Sequence, residues 1–352
     1  MTRSELGARS ALSRTTLYKV VGVLVDRGLV IATVPDTEPR GRGRPAEKLA
    51  LNPAVGRALG IDFGRRHVRL AAITAAHNEI STVSATHSPA ARWPERIAIA
   101  RRLAAGLTGA VPRLDVLGDV GVSVTDPTAD SCTTDDERTV AEMLGRGFGT
   151  RVRLGNAPRL AALAEAVWGA AKGLTDVLYL ELSERVSGGL VTGGALHRGA
   201  HGGSGGFGHI LAEPAGAPCS CGGRGCLQTV ASTTAVLDAY RAAADLPQLA
   251  AALSAGEEAA HAVVRRAAIH AGRVLAGLVK ALGPSVVVVG GELITLGPPL
   301  MEPLENEVRA SGAAYGSRPL MPVRRAELGD FAAAVGAASL LRPPPASGTG
   351  GP

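Results

Sequence analysis

CSCGGRGCLQ, residues 219–228, gathers Cys219, Cys221 and Cys226 into eight positions of a chain that contains four cysteines among 352 residues. The N-terminal MTRSELGARS lacks the apolar centre of a secretory signal, which predicts a cytoplasmic chain with reduced thiols. Clustered reduced thiols point to a bound metal rather than to disulfides. Cys132, alone in sequence, reads as an ordinary small residue.

Composition sets the outer bounds. The chain is long enough for more than one compact unit. Its 46% hydrophobic and 19% charged residues are a globular balance. No apolar run approaches the roughly 20 residues needed to span a bilayer, so no membrane partner is expected. The formal charge of +6 permits a polyanionic partner without requiring one.

Basic residues concentrate at the front. The segment SELGARSALSRTTLYKVVGVLVDRGLV (4–30) reads as helix, turn, helix, strand. Ser13 suits an N-cap, Leu17, Val20, Val21 and Leu24 fall at helical spacing on one face, and Gly28 is placed to end the helix. Ser13, Arg14, Thr15, Tyr18 and Lys19 then project near the helix start, where a recognition helix meets base edges and phosphates of duplex DNA. An amphipathic surface helix with no DNA role has the same pattern. After Gly28, a β-like LVIATV leads through a turn-rich basic segment to a second short strand, as in a winged helix-turn-helix. Arg42 and Arg44 of the RGRP tetrapeptide suit a narrow minor groove, or phosphates alone. A winged unit usually opens with a further helix, and only Met1–Arg3 precede this one, so the expected first helix is missing from residues 1–52.

From Ala58 the texture changes to three alternating β-rich stretches. DVGVSVTDP, DVLYLEL and SVVVVGGEL follow as strands, with APRLAALAEAVWGAAKG (157–173) as a helix between the first two. Strands interleaved with helices predict an α/β body. Over residues 58–341 this body resembles the ROK family of repressors and sugar kinases. The resemblance rests on GIDFG (60–64), GNAPRLAALAE (155–165), GGLVTGGALHRGAHGGSGGFGHI (188–210), CSCGGRGCLQ (219–228) and VVVVGGEL (286–293). It implies a two-lobed actin-like, ribonuclease-H-like domain. A front unit ending in GRGRP is similar to the winged helix-turn-helix of the family's regulators, which its sugar kinases lack. Residues 342–352, RPPPASGTGGP, are expected to be a disordered tail.

The resemblance also implies that His209 joins Cys219, Cys221 and Cys226 around one structural Zn2+. Three thiolates and an imidazole close a tetrahedral shell and leave no position for a reacting water.

The kinase machinery is eroded. The resemblance places Arg65 and Arg66 where the kinases' first phosphate loop has glycine and threonine. Ser183, Glu184, Arg185, Val186 and Ser187 stand in place of a glycine-rich second loop. Ala157 follows Asn156 where the kinases carry the aspartate base, and a methyl group accepts no proton; loss of a general base alone costs on the order of 10^2- to 10^4-fold. No catalytic residue is therefore expected. Two further sugar-binding glutamates are replaced by Gly206 and Gln228. Asn156 and Gln228 can still hydrogen-bond a hydroxyl, and Arg65 and Arg185 suit an acidic metabolite or sugar phosphate.

The sequence thus predicts a zinc-containing DNA-binding regulator, a repressor by family analogy, which binds a duplex operator as a homodimer or homotetramer and senses a sugar or sugar derivative without phosphorylating it. A sugar kinase and a scaffold that binds no DNA are the competing readings.

Overall fold

The computed structural model describes residues 1–10, 12–26, 30–33, 47–51, 58–73, 80–107, 119–124, 134–200, 202–312 and 321–341. Arg42, Arg44, Cys132 and the 342–352 tail lie outside the described residues.

At the front, helices α1 (Arg3–Ser10) and α2 (Arg14–Asp26) precede the antiparallel strands β1 (Val30–Thr33) and β2 (Lys48–Leu51). Ser13 caps α2, its Oγ accepting the Thr16 N–H at 3.2 Å and so satisfying one otherwise orphaned donor. Leu17, Val21 and Leu49 form the small core, with Leu6, Val25 and Val30 against it. Val20 does not join them. Leu17, Val21 and Val25 make the stripe that the hairpin covers, and Val20, roughly 100° round the helix from Val21, is left 44% exposed.

The body repeats one plan twice. The first lobe holds β3 (Ala58–Phe63), β4 (His67–Ile73), β5 (Ile80–Thr86), β6 (Asp119–Val124) and β7 (Arg151–Asn156), in spatial order β5-β4-β3-β6-β7. The second holds β8 (Val177–Leu182), β9 (Val186–Thr192), β10 (Ala195–Leu196), β11 (Val286–Gly290) and β12 (Val323–Arg325), in order β10-β9-β8-β11-β12. In each lobe three strands form an antiparallel meander, and the other two run parallel to its first strand. The apolar VVVVG of β11 is buried at every position, as a parallel strand covered on both faces must be.

Helices α3 (Trp93–Leu107) and α4 (Thr134–Phe148) cover one face of the first sheet, where Ile97, Ala100, Leu144 and Phe148 meet Leu59, Ile61 and Phe63. Helix α5 (Ala157–Val167) carries the chain towards the second lobe. There α6 (Gln228–Ala231), α7 (Thr233–Ala239), α8 (Leu246–Ser254), α9 (Glu258–Leu282) and α10 (Pro298–Gly312) enclose the larger core with Leu178, Leu180 and Val289. Helix α11 (Ala332–Ser339) returns to lie on the first sheet. Glycine makes that return possible: a Cβ on Gly60 or Gly121 would stand 1.9 Å from the carbonyl oxygen of Ala334 or Ala337.

The helix expected over 157–173 stops at Val167. Glu165, fully buried, reaches past its own helix end, and Oε2 accepts the Ala170 N–H at 2.8 Å while Oε1 accepts those of Glu327 and Leu328 at 3.0 and 2.9 Å. One carboxylate thus turns the chain after α5 and fastens it to the segment entering α11. No helix among the described residues is long and apolar enough to cross a membrane.

Candidate functional site

The metal-ligating side chains converge. His209 ends a single 3-10 turn (Phe207–His209), Cys219 and Cys221 sit in the following loop, and Cys226 lies just before α6. A small knuckle aligns them: Leu211 bridges Cys226, Pro218 bridges Arg224, and the Cys219 N–H donates to Gly223 O at 2.8 Å. Gly225, at φ +67°, is required there, because a Cβ would fall 1.7 Å from Glu213 O. The four donor atoms lie within 4.8 Å of one another, with Cys219 Sγ 3.5 Å from His209 Nδ1 and Cys221 Sγ 3.6 Å from Cys226 Sγ. Tetrahedral zinc with bonds of about 2.3 Å needs sulfurs about 3.8 Å apart, so the donor set fits a metal ion. Burial pushes the Cys226 thiol up to about 12, whereas the Gly223 amide holds exposed Cys221 below its usual value. A cation would be needed to keep all three sulfurs as thiolates.

The cleft lies at the C-terminal ends of the parallel strands of both lobes. Asp62, at the end of β3, is buried; Ser123 Oγ donates to its Oδ1 at 2.7 Å, and His67 Nε2 stands 3.2 Å from its Oδ2. His67 Nε2 is also 2.9 Å from Arg69 Nη1. One nitrogen serves one partner at a time: with its proton it donates to Asp62, and without it it accepts from Arg69. Arg69 in turn donates to Asp330 at 2.5 Å, in the turn that enters α11. The His67 ring also fills the space above Gly64, where a Cβ would lie 2.2 Å from its Cε1. Arg96, stacked 4.6 Å over Trp93, donates to Gly64 O from the other side. The first loop is therefore filled by the protein's own side chains.

Across the cleft, the β8–β9 turn carries Ser183, Glu184 and Arg185, closed by the Ser183 N–H donating to Arg185 O at 3.1 Å. Arg65 Nη1 meets Glu184 Oε2 at 3.4 Å, joining the two loops. Beneath them, Glu181 is raised to about 7, first by desolvation and then by the negative charge of Asp62, with Glu292 adding to it. Asp62 and Glu181 make the inner side acidic, and exposed Arg65, Arg66, Glu184 and Glu292 stand outside them.

Among the expected effector contacts, Arg65 and Arg185 are thus brought onto facing loops. Asn156 ends β7 without capping α5 through its side chain, and Gln228 opens α6; no hydrogen bond links these two carboxamides among the described residues. Ala157 is buried at the first turn of α5. The register pairs Asp62 with Arg69, and alternation along β4 then puts His67 on the face of Asp62; the sequence carried no signal for that register, for Arg96 and Ser123, or for the pairing of Glu184 with Arg65, because the partners are distant in sequence. On α2, Arg14, Thr15, Tyr18 and Lys19 are exposed, and the Arg3 and Arg14 guanidinium carbons lie 5.4 and 5.9 Å from the Tyr18 ring centre. Arg3 also pairs with Glu47.

Two lobes of like topology, joined by α5 and α11 and open at the strand ends, are the actin-like plan. Residues 58–343 match the ROK family, and the chain belongs to it. It is 24% identical over 369 residues to the DNA-binding transcriptional dual regulator NagC of Escherichia coli K12, across 97% of this chain and 88% of that protein. It is 33% identical over 217 residues to the glucokinase of Streptomyces coelicolor, across 56% and 68% of the two chains. A crystal structure of a ROK family transcriptional regulator, a homolog of the E. coli MLC protein, shares the fold with a TM-score of 0.76 at 20% identity, over 96% of this chain and 90% of that one.

Proposed function

We propose that this chain is a DNA-binding transcriptional repressor whose kinase-like domain senses a sugar or sugar derivative and transfers no phosphate. The observation that carries the reading is the state of the first phosphate loop: His67 fills it, Arg96 holds it, and Arg65 ties it to Glu184. Phosphoryl transfer depends almost entirely on positioning phosphates and metal, and Ala157 provides no base beside them.

The similarity to NagC runs through the front unit, which supports a winged helix-turn-helix there, with β1 and β2 as the base of the wing. Arg14, Thr15, Tyr18 and Lys19 would read an operator, Ser13 would set the start of their helix, and Arg42 and Arg44 would follow from the wing. A homodimer or homotetramer would present the paired recognition helices that a twofold operator requires. Asn156 and Gln228 would hold effector hydroxyls. His209, Cys219, Cys221 and Cys226 would hold one Zn2+, which when bound ties the knuckle to α6 and takes no part in chemistry.

The similarity to a glucokinase favours the second reading, an ATP-dependent sugar kinase. A coupled phosphorylation assay with ATP, Mg2+ and a panel of hexoses and amino sugars separates them. No sugar-dependent turnover is expected; turnover above a heat-treated control would overturn the repressor-only reading.

A further inference from the structure

We infer that the mouth of the cleft is a side-chain anion site already occupied by the protein itself, with the Glu184 carboxylate resting on Arg65 where a ligand's phosphate or carboxylate group would bind. The pair spans the two lobes at 3.4 Å, and both partners are more than half exposed, at 57% and 65%. Such pairs are held only weakly, so an incoming anion competes on nearly equal terms. Arg66 is exposed beside Arg65, and exposed Glu292 flanks the Glu184 turn, its N–H donating to Ser183 Oγ at 3.2 Å, so Arg65 and Arg66 are the guanidinium groups that face an incoming anion from the first loop. Guanidinium forks match phosphate and carboxylate oxygens equally well in geometry.

The surroundings fix where the anion stops. His67 fills the space over Gly64, which prevents the loop backbone from cradling a phosphate. Deeper still, the buried Asp62 carboxylate repels negative charge, so the anionic group stays at the mouth while the rest of a ligand faces the floor. Displacing Glu184 exchanges a contact between the lobes for a contact with ligand, which couples occupancy to the relation between the lobes. Glu184 is thus an internal competitor, and its removal should strengthen anion binding.

This inference rests on the effector-cleft reading only for its use in the cell, because binding is measured directly. Titration calorimetry of the full chain at low ionic strength would use pyrophosphate as the phosphate probe and succinate as the carboxylate probe. Melting curves would establish that each variant is folded. Glu184→Gln should tighten binding of at least one probe by about two- to five-fold, the effect of releasing an exposed ion pair. Arg65→Gln should weaken it by at least as much. Arg265→Gln, which breaks the comparably exposed Arg265–Glu258 pair on α9, should change nothing. Affinity that falls or stays constant in Glu184→Gln overturns the inference, as does an absence of heat from both probes in both the natural chain and Glu184→Gln. Preference for one probe assigns the anion's chemistry. Sugar-dependent ATP turnover would sink the repressor reading while leaving this inference to the sign of the Glu184→Gln effect.

Discussion

Replacing Glu165 with alanine removes a single side chain that three backbone amides depend on. The carboxylate is fully buried and accepts from Ala170 at 2.8 Å, Leu328 at 2.9 Å and Glu327 at 3.0 Å. Each amide left buried without a partner costs about 1–3 kcal/mol, and partial relaxation brings the expected total to roughly 3–5 kcal/mol. For a body of this size that corresponds to a fall of about 10 °C in melting temperature. Glu165→Gln should be intermediate: the Oε1 carbonyl can keep two amides, but its NH2 faces the Ala170 N–H. Calorimetric melts of the three proteins test the order, and hydrogen exchange should show lost protection at residues 327 and 328. The reasoning fails if Glu165→Ala melts within about 2 °C of the natural chain, since these amides would then find other partners at no cost.

Cys221→Ser should lower bound zinc from one equivalent to well below one by elemental analysis, and a strong chelator should reduce the melting temperature of the natural chain but not that of the variant. Glu181→Gln should reshape the pH dependence of stability. Its folded value of about 7 lies above the ordinary 4.5, so the folded state binds the extra proton and this residue lowers stability as pH rises through that window. The variant should therefore gain up to roughly 3 kcal/mol at pH 8 and nothing at pH 4; equal melting shifts at both pH values would contradict the assignment. Gly121→Val should destabilise the body by more than about 3 kcal/mol in denaturant titrations, because its Cβ would stand 1.9 Å from a backbone oxygen of α11 that cannot move aside.

Where the physics is local, the chain could be read directly. Ser13 capped the helix it precedes, the alternation over 58–86 became β3, β4 and β5, and the short Cys-x-Cys-x4-Cys spacing placed three sulfurs in one knuckle. Reading failed where a long-range contact decides. The helix over 157–173 was cut short by Glu165, two of whose three partners lie more than 160 residues ahead. Val20 fits the periodic stripe, but burial depends on the width of the hairpin facing it, which periodicity does not encode. The replaced loop residues were visible in sequence; that Arg65 and Glu184 face each other across the cleft, and that His67 fills the first loop, required the lobes to be assembled.

The most direct test of the repressor reading is genomic DNA-affinity sequencing with the zinc-loaded full chain beside its Arg14→Ala variant. The account predicts a palindromic motif enriched by the natural chain and lost by the variant. Enrichment no greater than background for both proteins would contradict it.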